Sequence, residues 1–275
     1  MSVSSCVSAR TIWISDVHLG FKDCKADYLY TFLSNIKCDT LFLVGDIVDL
    51  WSLKKRIFWP EEHYHILLKF YELADKGTRV IYVPGNHDDP LRRFDGQRLG
   101  PIEVALEYDY ETVDGRKFLI FHGDAMDAYM KYDWLTKFAG DVLYHCLLFI
   151  NRWANKFRKW FGKPYFSLAG QIKDNVAGAR QAINRYKQQC IDEAKRRGYD
   201  GVVCGHIHYP DLEVSKDFTY CNTGDWIESC TGLAEDHAGN FRLLHYVNEI
   251  EQLDAEAETE SSNPNNGVRE KPKAA

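Results

Sequence analysis

Five short apolar segments of this chain each end directly in histidine, aspartate or asparagine side chains, and this pattern constrains the fold more than any other feature. The segments are rich in β-branched and aromatic residues and are predicted to be buried strands: Thr11–Ile14, Thr40–Val44, Arg79–Val83, Lys117–Phe121 and Gly201–Cys204. They are followed by Asp16-Val17-His18, Gly45-Asp46-Ile47-Val48-Asp49, Gly85-Asn86-His87-Asp88, His122-Gly123-Asp124 and Gly205-His206-Ile207-His208. One such group is usually a polar loop. Five in order predict a functional site, because ligands collect beyond the carboxyl ends of strands in α/β sheets.

Helical patterns separate the first three of these strands. One consists of Leu29, Phe32, Leu33 and Ile36, and the next of Ile66, Leu67, Phe70, Leu73 and Ala74, entered by Pro60-Glu61-Glu62 and closed by Gly77. Later strand candidates pair as hairpins around Asp114-Gly115, and further strands are predicted near Leu212–Val214, Phe218–Cys221 and Phe241–Val247. The sequence therefore predicts an α/β fold with two packed sheets and helices outside them.

The side chains after the strands form a mixed imidazole, carboxylate and amide set without a thiolate. The candidate metal ligands are Asp16, His18, Asp46, Asn86, His122, His206 and His208. A closed structural zinc site needs only four groups, whereas two ions bridged by Asp46 would each receive four protein ligands and keep positions open for water and substrate. A pair of divalent cations activates a water, orients a phosphoryl group and neutralises charge on phosphorus. Phosphoester hydrolysis is the predicted reaction, and the chain has no P-loop or nucleophile elbow.

The series D-x-H, G-D-x-x-D, G-N-H-[DE], H-G-D and G-H-x-H, which runs from Asp16 to His208, resembles that of the calcineurin-like metallophosphoesterases. The resemblance implies a four-layered α/β/β/α sandwich with two metal ions, for which we expect Mn2+. It places one ion on Asp16, His18, Asp46 and His208, and the other on Asp46, Asn86, His122 and His206.

The same resemblance gives His87 and Asp49 catalytic roles. His87 would stabilise or protonate the leaving oxygen, and Asp49 would orient it, as in general acid chemistry. The alternative is that Asp49 only caps a turn and His87 only packs. Asp88 and Asp124 are expected to hold the ligands in place rather than to bind metal.

A basic and aromatic segment lies between His122 and His206. Residues 128–198 hold 14 Lys and Arg against 5 Asp and Glu, in a chain of net charge −6. Its apolar residues keep helical spacing, which is typical of a helix at a membrane interface or of a groove for acyl chains. The alternative is a helical hairpin packed on the domain with a solvated basic face.

This helical lid insertion, about 128–198, makes the chain similar to the UDP-2,3-diacylglucosamine hydrolase family. That resemblance implies hydrolysis of the pyrophosphate of a lipid-linked nucleotide in lipid A biosynthesis, giving UMP and 2,3-diacylglucosamine 1-phosphate. The expected substrate contacts are Asn86, His87, Asp127, Tyr129, Arg152, Lys156 and His206. His87 replaces the arginine of the best-known members, which leaves the exact substrate open.

Three rival functions differ in their sequence requirements. A soluble phosphodiesterase or nuclease shares the G-N-H-D motif and could use the basic segment for nucleotide phosphates. A protein serine/threonine phosphatase is disfavoured because Leu50-Trp51 follows Asp49 and Asp88 follows His87. A catalytically silent binding module is expected to lack a ligand, and here the set is complete.

The remaining features concern domain limits and location. We expect one phosphoesterase domain over residues 1–248 and a disordered acidic tail over 249–275, where 7 acidic and 3 basic residues accompany few large apolar ones. The longest uncharged apolar run, 142–150, is far shorter than the ~20 residues that span a bilayer, and no signal peptide is apparent. We therefore expect a cytoplasmic enzyme, peripheral on the inner face of the cell membrane, with no nucleic-acid partner.

Overall fold

A computed structural model describes residues 7–129, residues 150–161 apart from 152, 156 and 159, and residues 177–246. These residues form twelve strands in two sheets. The strands are β1 (Val7–Ile14), β2 (Ile36–Val44), β3 (Arg79–Val83), β4 (Arg98–Leu99), β5 (Ile102–Val104), β6 (Tyr108–Glu111), β7 (Lys117–Ile120), β8 (Gly201–Cys204), β9 (Asp211–Val214), β10 (Thr219–Asn222), β11 (Thr231–Glu235) and β12 (Phe241–His245). One sheet has the order β12-β11-β1-β2-β3-β5-β4, and the other β6-β7-β8-β10-β9.

The helices are α1 (Ala26–Ser34), α2 (Leu50–Lys55), α3 (Glu61–Asp75) and α4 (Ala177–Arg196), with 3-10 helices at Asp89–Phe94 and Asp124–Tyr129. Of these, α1, α3 and α4 cover the outer faces of the sheets, whereas α2 has no buried residue. In α3, apolar residues at helical spacing face the core, and Pro60 stands immediately before its first turn, where a missing N–H costs nothing. Gly77 follows the helix with φ +102°, a conformation that favours glycine.

Three apolar clusters define the layers. Residues of α1 and α3 pack on the outer face of the larger sheet, as Leu29, Ile66 and Leu41 show. The two sheets meet across Trp13, Phe42, Phe118 and Val203, among others. On the far side, Tyr186, Cys190 and Ala194 of α4 pack against the smaller sheet. The order is helix, sheet, sheet, helix, which confirms the predicted four-layered α/β/β/α sandwich.

Helix α4 lies within the segment expected to form the lid, yet its buried side chains belong to the core. The part of α4 from Tyr186 onward therefore packs in the core rather than over the site. Residues 150–161, where described, are largely helical with exposed apolar side chains, including Trp153 and Trp160. No described helix is both long and apolar enough to cross a membrane.

The predicted strands are all present, with some corrections to their limits. Ile36, assigned by spacing to a helix, instead begins β2, because α1 stops at Ser34. Strand β1 begins at Val7 rather than Thr11. The short helix α2 and strands β4, β5 and β11 were not predicted. In the larger sheet, β1 pairs in parallel with β2, and β2 with β3; in the smaller sheet, β7 pairs in parallel with β8. The carboxyl ends of these strands therefore lie at one edge.

Candidate metal centre

The loops that leave this edge have an unusual backbone. Among described residues other than glycine, six have positive φ, and five of them are predicted ligands: Asp16, His18, Asp46, His206 and His208, with φ between 51° and 74°. The left-handed conformation is unfavourable for such residues and is retained mainly where function requires it. The fold therefore holds these side chains in place at an energetic cost.

A first group of donors comprises Asp16, His18 and His208, whose ligand atoms all lie within 4.8 Å of one another. Nε2 of His208 is 3.2 Å from Oδ1 of Asp16 and 3.2 Å from Nε2 of His18. Because Nδ1 of His18 faces the Asp49 carboxylate at 3.3 Å and donates to it, the Nε2 lone pair of His18 points into this group.

A second group comprises Asp46, His122 and His206. Oδ2 of Asp46 lies 3.4 Å from Nε2 of His122 and 3.9 Å from Nε2 of His18, so this one oxygen faces both groups. The other oxygen, Oδ1, accepts the backbone N–H of His87 at 2.8 Å. The position of Asp46 between the two groups is the one a bridging ligand requires.

Several buried atoms of the candidate ligands lack a hydrogen-bond partner. Among the described residues, Oδ1 of Asp16, Oδ1 of Asn86 and Nε2 of His122 have none. Nδ1 of His122 donates to the Val44 carbonyl at 3.0 Å, so Nε2 is the ring nitrogen that faces Asp46 and could bind a cation. Buried polar atoms are normally satisfied, and unpaired N and O donors around one space fit divalent cations.

The charge state of the groups also suits a cation. Burial alone would raise the pKa of Asp16, but His208 outweighs it and the pKa falls to about 2. Against the effect of burial, His122 and His18 hold the pKa of Asp46 well below its ordinary value. Both carboxyl groups are therefore ionised at neutral pH, and an ionised carboxylate is the form that binds metal.

Asp49 and His87 form a third group of close donor atoms with His18, and they contact each other. Nδ1 of His87 donates to Oδ1 of Asp49 at 2.9 Å. Asp49 also caps α2, accepting Ser52 N at 2.7 Å, so it has the capping role as well as the orienting position. The His87 ring packs on Trp51, with centroids 4.3 Å apart, and meets His18 edge to face at 4.7 Å. The ring is held on three sides.

Asp88 and Asp124 have other partners. The buried Asp88 accepts hydrogen bonds from Ile47 N and Gly85 N, which joins the two ligand loops. Asp124 pairs with Arg92 at 2.8 Å. Asp88 thus has the supporting contacts expected of it, whereas Arg92 is not a candidate ligand and the supporting role of Asp124 stays a prediction.

Other supporting residues carry no motif and were missed. Ser15 donates to Asp16 Oδ2 and contacts Thr223 Oγ1 at 2.6 Å. Asn222 donates to the Gly205 carbonyl at 2.6 Å, as does Tyr186 of α4 at 3.1 Å. The position of Ser15 next to Asp16 was one signal. The stretch from Asn222 to Cys230 also resembles the UDP-2,3-diacylglucosamine hydrolase family, but it is distant from the ligands in sequence and no chemistry was assigned to it.

Four expected substrate contacts remain without a structural test. Arg152 and Lys156 lie outside the described residues, as do the side chains of Asp127 and Tyr129. Asn86, His87 and His206, by contrast, all lie at the site.

Fold and site together define a metal-dependent phosphoesterase, a hydrolase. More specifically, the calcineurin-like phosphoesterase family matches residues 9–210, and the chain belongs to that family.

Similar proteins include three named UDP-2,3-diacylglucosamine hydrolase. The protein of Aliivibrio fischeri is 25% identical over 244 residues, covering 78% of this chain and 90% of the relative. That of Haemophilus influenzae is 22% identical over 249 residues, with 86% and 98% covered. That of Ralstonia nicotianae is 29% identical over 222 residues, with 75% and 80% covered. A solved archaeal phosphodiesterase aligns with 86% of this chain and 98% of its own, at 15% identity and a TM-score of 0.42.

Proposed function

We propose that this chain is a binuclear metal-dependent hydrolase that cleaves the pyrophosphate bond of UDP-2,3-diacylglucosamine. The products would be UMP and 2,3-diacylglucosamine 1-phosphate, an intermediate of lipid A biosynthesis. The observation that carries the proposal is the pair of donor groups facing one carboxylate, Asp46. The names of relatives that align over most of the chain support the substrate.

Seven side chains would hold two ions, for which we propose Mn2+. Asp16, His18 and His208 would hold the first, and Asn86, His122 and His206 the second, with Asp46 shared. When bound, such a pair activates water and neutralises charge that builds on phosphorus.

His87 is proposed to serve the leaving group. Because its Nδ1 donates to Asp49, the other ring nitrogen is the one available to substrate. Burial lowers the pKa of His87, but the Asp49 hydrogen bond and the nearby Asp46 outweigh it and raise the pKa above its ordinary value. A protonated imidazole can donate to an oxygen that leaves with negative charge.

We further propose that the enzyme works in the cytoplasm, peripheral on the inner face of the cell membrane. The described part of residues 150–161 supports this, since Ile150, Trp153, Phe157 and Trp160 recur at helical spacing and are all about half exposed or more. Such a helix face suits acyl chains or a bilayer interface.

The direct test is incubation of Mn-loaded protein with UDP-2,3-diacylglucosamine in detergent micelles, with UMP release as the readout. Bis(p-nitrophenyl) phosphate serves as a parallel substrate. Release of UMP that requires Asp46 supports the proposal. Turnover of the phosphodiester without any release of UMP would contradict the lipid substrate and favour a soluble phosphodiesterase.

A further inference from the structure

An exposed cationic and apolar surface lies beside the metal centre. It consists of Trp51, Lys54, Lys55, Arg56, Ile57 and Phe58, and is called the α2 surface here. A helix on a globular domain normally buries an apolar stripe, yet α2 has no buried residue.

The composition of the α2 surface combines positive charge with exposed apolar side chains. Residues 50–60 contain three cations and no carboxylate. Among the described residues, no acidic side chain forms an ion pair with Lys54, Lys55 or Arg56. Ile57 is 84% exposed and Trp51 is 46% exposed. This charge is available to an external anion, and the apolar groups are available to an apolar phase.

The α2 surface is fixed to the domain at both ends. At its start, Asp49 caps α2 and Trp51 packs on His87. At its end, the Phe58 ring meets the buried His63 edge to face, with centroids 5.8 Å apart. Nδ1 of His63 accepts the Gly20 N–H at 2.9 Å. Both ends of the segment that carries the exposed side chains are therefore anchored next to the metal centre.

We propose that the α2 surface binds an anionic lipid bilayer. Cations next to apolar side chains match the two parts of such a surface, since phosphates lie at the headgroup level and acyl chains below it. A lipid-linked substrate would enter the site from the same bilayer. That last step rests on the proposed function, whereas binding of the bilayer does not require catalysis.

The test is sedimentation of the full chain with vesicles of phosphatidylcholine and phosphatidylglycerol at low salt. One variant carries Lys54→Gln, Lys55→Gln and Arg56→Gln. Its matched control carries Lys37→Gln, Lys117→Gln and Lys216→Gln, which removes the same charge from exposed lysines at the opposite edge of the sheets. Each cation near an anionic bilayer raises the vesicle partition coefficient about fivefold, so the first variant should partition into the vesicles on the order of 100-fold less. The control should bind like the unaltered protein.

A second pair of variants tests the apolar part. Ile57→Ser should weaken binding about tenfold through lost apolar burial, whereas Val214→Ser, at an exposed position on β9, should not. Turnover of bis(p-nitrophenyl) phosphate should be unchanged in all four variants, which shows that they are folded.

Three outcomes would overturn the proposal. The α2 triple variant could bind as well as its control, vesicles of phosphatidylcholine alone could bind as tightly, or a single-stranded oligonucleotide could bind more tightly than the anionic vesicles. If the proposed function failed instead, UMP release would be absent while vesicle binding still depended on the α2 surface.

Discussion

At the residue scale, the candidate ligands are distinguished by backbone as well as chemistry. Asp16, His18 and Asp46 have φ of 52°, 54° and 54°, where glycine is the usual residue. The sequence predicted which residue types would meet, because aspartate and histidine after strands carry a clear signal. It could not predict the left-handed backbone, which depends on hydrogen bonds such as His18 N to Asp46 O, made between distant loops.

His87 is predicted to act in the chemical step and not in metal binding. His87→Ala should lower kcat about 10²-fold or more. The metal content should be unchanged, because Nδ1 of His87 is engaged by Asp49. Steady-state kinetics and elemental analysis provide the two readouts, with the exposed His237→Ala as control. Unaltered kcat would remove His87 from the mechanism, and a loss of metal would make it a ligand.

His63 is predicted to make stability depend on pH. Burial lowers its pKa from the ordinary 6.5, so the unfolded chain takes up the proton first. The stabilising contribution is therefore complete above pH 6.5 and is lost as the pH falls from there toward the lower folded-state pKa. Asparagine can present an oxygen near the position of Nδ1 to accept the Gly20 N–H, and it does not titrate.

Urea denaturation at pH 7.5 and 5.5 measures this effect. The loss of stability between the two pH values should be smaller in His63→Asn than in the unaltered protein. The control is His65→Asn, at an exposed position on the same helix, which should lose as much as the unaltered protein. An equal loss in all three proteins would contradict the assignment.

At the element scale, close packing between loops fixes the second donor group. Gly45 has φ +78°, and a Cβ there would come 2.1 Å from Nδ1 of His122. Gly115, in the β6–β7 turn, has φ +82° and open space around it. Comparison of the two glycines separates backbone strain from contact with the metal centre.

Gly45→Ala is predicted to displace His122 and reduce metal content and turnover severely. Gly115→Ala should cost only the strain of an L-residue in the left-handed region, about 1–2 kcal/mol, and should leave metal binding intact. Elemental analysis and denaturant unfolding of both variants measure the difference. Normal metal content in Gly45→Ala would show that His122 does not have the proposed role.

The elements differ in how well sequence predicts them. Arg79–Val83 and Gly201–Cys204 have the predicted limits because β-branched runs end there at glycine-containing loops. Strand β11 was missed because Thr231-Gly232-Leu233-Ala234-Glu235 has no strand pattern, although all five residues are buried. Its pairing with β1 and β12 compensates for weak local preference. Helix α2 was missed because it has no buried face.

At the scale of the whole molecule, bound metal should stabilise the fold. The site places the ionised Asp16 and Asp46 close together away from water. Treatment with EDTA is expected to abolish turnover and lower Tm, and Mn2+ should restore both. At metal concentrations of 100 Kd the gain is about 2.7 kcal/mol. Elemental analysis must first show that EDTA has removed the metal. If the Tm is then the same as before the treatment, this prediction is contradicted.

The class of the enzyme was predictable from sequence, whereas its substrate depends on other parts of the molecule. Five motifs from separate strands identify the site, because the sheets must bring their ends together. We expect substrate choice to depend on surfaces such as α2 and the described part of residues 150–161, whose exposed aromatic side chains form no motif that identifies a ligand.

The most direct test of the central claim is anomalous diffraction from a crystal of the Mn-loaded protein. The account predicts two peaks about 3.5–4 Å apart, with the Asp46 carboxylate bound to both. A single peak, or two peaks of which only one contacts Asp46, would contradict it.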